Sequence, residues 1–62
     1  MMIDPQTLIG TCRRFGLVGP VYEIIAIGRE TNTDQFMKIK ILETGEEAEY
    51  SLNNIIDDPR EK

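Results

Sequence analysis

The chain contains no histidine and no tryptophan, and Cys12 is its single cysteine. One cysteine cannot form an intramolecular disulfide, and without histidine it cannot complete a zinc site. Triads in which a histidine activates serine or cysteine are excluded for the same reason. A chain of 62 residues also has little room to enclose a pocket for paired catalytic carboxylates. The sequence therefore predicts a protein that is not an enzyme and that carries no cofactor and no metal.

An excess of positive charge is also missing, because seven basic residues stand against eleven acidic ones and the formal net charge is −4. This balance opposes non-specific binding to nucleic acid or to an anionic membrane. No apolar run approaches membrane-spanning length, and residues 1–5 lack the cationic start and apolar core of a signal peptide. We expect one cytoplasmic domain over residues 1–62, since a lone cysteine suits a reducing compartment.

The lone cysteine has two interpretations. A free cysteine usually behaves as a small buried hydrophobic residue, and we favour this for Cys12. A reactive thiol needs an electropositive environment, which the adjacent Arg13 and Arg14 could supply. The sequence leaves this alternative open.

Residues 21–28 form the one stretch that is apolar on both faces of a strand. Its two faces are Tyr22, Ile24 and Ala26 on one side and Val21, Ile25 and Ile27 on the other. A strand of this kind is normally covered on both faces. The pattern predicts the central strand of a small sheet.

Residues 5–15 have the pattern of an amphipathic helix, with Asp4 as the cap and a proline at the first helical position. The apolar positions at helical spacing are Leu8, Ile9, Cys12 and Phe15. Gly10 and Thr11 are poor residues for a helix interior. A strand over residues 8–15 is therefore the competing interpretation.

Residues 35–43 and 47–52 alternate between apolar and polar side chains, and a turn at Thr44-Gly45 would join them as a β-hairpin. The expected pairs are Ile41–Ala48, Ile39–Tyr50, Met37–Leu52, Lys40–Glu49 and Lys38–Ser51. Between the first two strands the expected pairs are Tyr22–Ile41, Ile24–Ile39, Ala26–Met37 and Glu23–Lys40. Each inward residue then has an apolar partner.

Residues 51–56 predict the end of the third strand and a C-terminal helical turn, which residues 57–59 end. Residues 60–62 are expected to form a frayed tail. The predicted fold class is α+β: an N-terminal helix, a three-stranded antiparallel meander and a C-terminal helical turn. Curling of the sheet into an SH3-like open barrel is the alternative arrangement.

This prediction contains one conflict. The middle position of a three-stranded meander belongs to its second strand, whereas residues 21–28 have the pattern of a central strand. Something else must then pair with that strand. The candidates are residues 8–15 in extended form and a second copy of the chain in a homodimer.

Basic side chains supply the candidate binding residues, which are Arg13, Arg14, Arg29, Lys38 and Lys40. Together they could bind a phosphate, a nucleic-acid backbone or an acidic partner. The two lysines share a predicted strand face with several glutamates, which favours a mixed, solvated surface. The favoured function is a non-enzymatic module that binds an unidentified protein partner, and the alternative is a nucleic-acid-binding or regulatory module.

Short motifs add a family resemblance. The run from Gly19 to Ile24, with Arg-Arg-Phe-Gly at residues 13–16 before it and a short hairpin and Asp-Asp-Pro at residues 57–59 after it, resembles a family of very small bacterial proteins of unknown function. The resemblance covers nearly the whole chain. It implies a bacterial, cytoplasmic origin and brings no catalytic or binding residues. The strand pattern is also similar to SH3-like small barrels, a likeness of fold and not of function.

Overall fold

One antiparallel sheet forms most of the protein in the computed structural model, which describes residues 4–61. The elements are a 3-10 helix (Pro5–Leu8), β1 (Cys12–Arg14), β2 (Val21–Glu30), β3 (Gln35–Ile41), β4 (Glu47–Ser51), α1 (Leu52–Asp57) and β5 (Arg60–Glu61). The five strands have the order β4-β3-β2-β1-β5. The predicted fold class, an N-terminal helix before a three-stranded meander, is therefore wrong, although the C-terminal helical turn is present as α1.

The helix predicted over residues 5–15 is replaced by one 3-10 turn and a strand. Asp4 does cap the turn, since its Oδ1 accepts a hydrogen bond from the Gln6 amide at 3.0 Å. The turn ends at Ile9, whose backbone is extended, and Cys12–Arg14 then pair with β2. Pairing satisfies the backbone groups along one side of an apolar strand, and this outweighs a helix weakened by glycine and threonine. The second neighbour of β2 comes from this chain.

β2 lies at the centre of the sheet, as its two apolar faces predicted. The confirmed pairs with β3 are Tyr22–Ile41, Glu23–Lys40 and Ile24–Ile39. A β-bulge after Ile24 then adds one residue on β2, so that Ala26 lies opposite Lys38 and Ile27 opposite Met37. The predicted Ala26–Met37 pair is wrong because a bulge moves all later residues of the strand by one position.

The hairpin between β3 and β4 forms, but its predicted register is wrong by two residues. The observed pairs are Phe36–Ser51, Met37–Tyr50, Lys38–Glu49, Ile39–Ala48 and Lys40–Glu47. The connection is longer than a two-residue turn, since the Ile41 amide donates to the Glu46 carbonyl at 2.8 Å and the Gly45 amide donates to the Ile41 carbonyl at 2.7 Å. A shift of two residues leaves each side chain on its predicted face.

The hydrophobic core lies on one face of the sheet. Its buried members are Leu8, Tyr22, Ile24, Met37, Ile39 and Ile55, with Phe15, Ile41, Tyr50 and Leu52 packed against them. Leu8 and Ile55 belong to the same cluster, so the 3-10 helix and α1 cover the same face. Ser51 caps α1, and its hydroxyl accepts a hydrogen bond from the Asn53 amide at 3.2 Å.

The C-terminal residues form the edge strand next to β1. Arg60 lies opposite Arg13 and Glu61 lies opposite Cys12, so two of the three residues expected to fray form β5. Lys62 lies outside the described residues. The Arg14 amide also donates to the Pro59 carbonyl at 3.1 Å, which continues the pairing beyond β5. Between residues 4 and 61, no helix is long and apolar enough to cross a membrane.

Candidate interaction surface

Two aliphatic side chains are almost fully exposed in the turn that joins β1 to β2. Leu17 is 87% exposed and Val18 is 96% exposed. We call this pair the apolar tip. Isolated exposed hydrophobic residues are common on protein surfaces, so exposure alone does not make this pair a site. The backbone beneath it is what sets the pair apart.

The turn beneath the apolar tip has little conformational freedom. The Phe15 amide donates to the Pro20 carbonyl at 3.1 Å, and the Gly19 amide donates to the Phe15 carbonyl at 2.9 Å. Gly16 adopts a φ of +63°, in the left-handed region where a side chain is strained. A Cβ at Gly19 would collide with the Phe15 carbonyl. The glycines at both ends of the apolar tip are therefore required by the backbone.

Asp58, just after α1, ties this turn to the body of the protein. Its Oδ1 accepts a hydrogen bond from the Gly16 amide at 3.2 Å, and its Oδ2 accepts one from the Tyr22 hydroxyl at 2.7 Å. Its carbonyl accepts one from Nη1 of Arg13 at 2.9 Å. Hydrogen bonds to a charged group are stronger than neutral ones. The turn, the central strand and the end of α1 are thus joined through one residue.

Three aromatic rings pack below the turn. Phe15 lies 4.4 Å from Tyr22 and 5.1 Å from Tyr50 between ring centroids, and the two tyrosine rings are 5.5 Å apart. The tilted and edge-on geometries are the favourable ones for aromatic pairs. Burial, with the hydrogen bond to Asp58, raises the pKa of Tyr22, and burial also raises the pKa of Tyr50. Both tyrosine side chains therefore stay neutral, and they pack against Phe15 at the start of the turn.

Acidic side chains lie at the same end of the sheet as the apolar tip. β1 and β3 both run antiparallel to β2, so the turns that follow them lie side by side, about 10 Å apart at two strand spacings. The second turn carries Glu43 and Glu46, and Asp57 precedes the residue that binds the Gly16 amide. These three side chains belong to exposed residues, and we call them the acidic rim.

The two adjacent arginines predicted as a binding spot diverge. Neighbouring residues of a strand point to opposite faces, and Arg13 lies on the core side, opposite Tyr22. Nε of Arg13 is buried and has no hydrogen-bond partner among residues 4–61. Arg14 lies on the other face, where Nε contacts Glu61 at 3.2 Å and Nη1 donates to the Gly19 carbonyl at 3.0 Å. Both arginines therefore serve the fold around the turn.

Each of the other predicted basic residues lies next to at least one acidic side chain. Arg29 contacts Glu49 at 3.0 Å and lies over the Phe36 ring at 4.4 Å. Lys38 lies opposite Glu49, and Lys40 lies between Glu47 and a second glutamate, Glu23. Cross-strand pairs of opposite charge stabilise a sheet. The five candidates are Arg13, Arg14, Arg29, Lys38 and Lys40, and the structure does not bring them into one positive patch.

Cys12 is a half-buried free cysteine. It lines an open cavity of about 520 Å³ together with Gly10, Thr11, Arg60 and Glu61. In the described part of the chain, no group of three or more side chains is placed to hold a metal ion. None of the residues that line this cavity belongs to the apolar tip.

The apolar tip is not among the binding residues predicted from the sequence, which are all basic. A signal was present in the two aliphatic residues between Gly16 and Gly19, since glycines mark turns and turns lie on the protein surface. Asp58 was interpreted as part of a helix end. Its link to Tyr22 could not be found from the sequence, since these residues are 36 positions apart and no motif joins them.

Comparison with known proteins gives one positive result. No curated protein matches the chain. One family model matches residues 1–62, and it describes a family of unknown function. This confirms the resemblance to a family of small proteins without a known function, whereas a bacterial origin stays a prediction. The chain thus belongs, over its whole length, to the family of unknown function DUF5397.

Proposed function

We propose that this protein is a non-enzymatic module that binds another protein, and that the apolar tip is its contact. The observation that carries the proposal is the near-complete exposure of Leu17 and Val18 on a turn with a fixed backbone. Side chains on a rigid turn lose little conformational entropy when they bind, so more of their burial energy is available for affinity. A flexible loop with the same residues would be a weaker candidate.

The nucleic-acid alternative has lost its supporting feature. It required Arg13, Arg14, Arg29, Lys38 and Lys40 to act together. Three of them contact or lie opposite glutamates, and the net charge of the chain is −4. A cationic footprint is the main requirement for binding a phosphate backbone. The interaction module is therefore the function that we carry forward, in a protein that we expect to act in the cytoplasm.

Site-specific photo-crosslinking tests the proposal. p-Benzoylphenylalanine is placed at position 18, in the apolar tip, and at position 32, an exposed residue in the β2–β3 loop at the opposite end of the sheet. Both proteins are irradiated in lysate of the native cells. We expect a discrete adduct from position 18 that is weaker when Leu17→Ser is added, and none from position 32. Equal adducts from both positions, or none from position 18, would contradict the proposal.

The test requires that the substitutions leave the fold intact. Leu17→Ser and Val18→Ser remove side chains that make almost no buried contacts, so each should change the free energy of unfolding by less than about 0.5 kcal/mol. Urea unfolding followed by circular dichroism checks this. A large loss of stability would show that the apolar tip packs against the body of the protein, which would remove the basis of the proposal.

A further inference from the structure

We infer that the partner is a protein with an apolar pocket bordered by lysine or arginine side chains, an inference that rests on the proposed function. The juxtaposition that carries it is the apolar tip beside the acidic rim. Three exposed carboxylates belong to the turn after β3 (Glu43 and Glu46) and to the end of α1 (Asp57), and both segments lie at the end of the sheet that carries the turn with Leu17 and Val18. A surface complementary to this end has an apolar centre and a positive border.

The small size of the apolar tip requires a concave partner surface. A stable interface buries roughly 800 Å² on each partner, and two aliphatic side chains supply a minor part of that. On a flat partner they would remain half in water. In a pocket they would be fully enclosed, and the rest of the contact would come from the turn around them. The convex shape of the turn therefore selects a pocket on the other protein.

The charges around the apolar tip determine which sign of charge the border of the partner's pocket must carry. Lys40 lies one row into the sheet between Glu23 and Glu47, and Arg14 is engaged with Glu61 and the Gly19 carbonyl. Arg60 is an exposed basic residue on the neighbouring β5, against three exposed acids of the rim. Charges about 10 Å apart interact appreciably at low salt, because this is close to the Debye length at 0.1 M. The net charge of the exposed residues around the apolar tip is therefore negative.

The same charges argue against two other occupants. A second copy of this chain would bring two acidic rims together, and like charges across an interface are unfavourable. An anionic membrane would repel the rim in the same way. A partner with a positive border is attracted instead, and such attraction raises association rates by about 10-fold to 1,000-fold at low ionic strength.

Charge-reversal variants provide the test, with full-length protein that carries p-benzoylphenylalanine at position 18 as the probe. Asp57→Lys reverses one charge of the rim, at a helix C-terminus where a cation is tolerated. Glu30→Lys makes the same charge change in an exposed residue at the opposite end of the sheet and is the matched control. Crosslinking in native lysate is compared at about 0.05 M and about 0.5 M salt, between which the Debye length falls from about 14 Å to about 4 Å.

We expect Asp57→Lys and high salt each to reduce the crosslinked protein at least about 3-fold, while Glu30→Lys leaves its amount unchanged. A second rim variant, Glu43→Lys, should act like Asp57→Lys. An adduct that depends on Leu17 but is insensitive to salt and to both rim variants would overturn the inference and leave the proposed function standing. Equal crosslinking from positions 18 and 32 would overturn both the inference and the proposed function.

Three further outcomes also count against the inference. An adduct with twice the mass of the chain would assign the apolar tip to a homodimer. Flotation of the protein with phosphatidylcholine–phosphatidylserine vesicles, lost with Leu17→Ser, would assign it to a lipid surface. An adduct with a protein whose contact surface carries no lysine or arginine would contradict the positive border directly.

Discussion

Replacing Tyr22 with phenylalanine should weaken the fold by about the contribution of one hydrogen bond to a charged group. The substitution keeps the fully buried ring and removes only the hydroxyl, whose hydrogen bond to Oδ2 of Asp58 is 2.7 Å long. A hydrogen bond to a charged group contributes about 1.5–3 kcal/mol. Asp58 is half-buried and can regain part of this from water. We therefore expect Tyr22→Phe to reduce the free energy of unfolding by about 1–2 kcal/mol.

A change of this size is easy to measure in so small a protein. A 62-residue chain has a total stability of about 3–9 kcal/mol at the usual value per residue. For a domain of this length, about 1–2 kcal/mol corresponds to a fall of about 4–16 °C in the midpoint of thermal unfolding. Urea titration at pH 7, with circular dichroism as the signal, gives the free energy directly.

A double-mutant cycle separates the hydrogen bond from other effects of the substitution. In an Asp58→Ala background the Tyr22 hydroxyl has lost its acceptor, so Tyr22→Phe should then be neutral or stabilising. In an Asp57→Ala background, which removes a neighbouring exposed carboxylate, the substitution should cost as much as in the parent protein. An equal cost in the Asp58→Ala and parent backgrounds would refute the reasoning.

Four other predictions concern the rest of the fold. The raised pKa of Tyr22 contributes stability that is complete below about pH 10, the pKa of an unfolded tyrosine, and is lost as the pH rises further; urea titrations from pH 8 to 11 should therefore show a steeper alkaline loss for the parent than for Tyr22→Phe. Gly19→Ala forces a Cβ against a carbonyl and should cost about 1–3 kcal/mol by thermal unfolding. Lys40→Glu sets three acids in one cross-strand row and should cost about 0.5–1 kcal/mol, with most of the loss recovered in high salt. Ile55→Ala empties the contact of α1 with the sheet and should cost about 2–5 kcal/mol, enough to leave much of the protein unfolded in a one-dimensional NMR spectrum.

The alternation of apolar side chains predicted the faces of the strands but could not predict every register. The pairs around Tyr22 and Ile24 were correct because each apolar face had one good match on β3. The β3–β4 register failed, since a slip of two residues leaves all faces unchanged and only the turn distinguishes the alternatives. The bulge after Ile24 has no clear signal in the sequence. Helical spacing of residues 8–15 was misleading because the need of β2 for a second neighbour is a property of the whole sheet.

The candidate site was harder to predict than the fold for a related reason. Arg13 and Arg14 are adjacent in the sequence but lie on opposite faces of β1, so a charge cluster in sequence was not a cluster in space. The apolar tip and the acidic rim come from separate turns and a helix end. Their proximity follows from the directions of β1 and β3, and no local pattern contains it.

The pairing of β1 with β5 also sets an order of events during folding. The other neighbours in the sheet are consecutive strands, whereas the hydrogen bond from Arg13 to the Asp58 carbonyl spans 45 residues. Closing so long a loop costs conformational entropy that short hairpins avoid. The β2–β3–β4 hairpins should therefore form first and the β1–β5 clasp last. In native-state hydrogen exchange, the amides of β5 should open before those at the centre of β2. The bond between Asp58 and the Gly16 amide would be lost with the clasp, whereas the bonds among Phe15, Gly19 and Pro20 belong to the local β1–β2 hairpin and would remain.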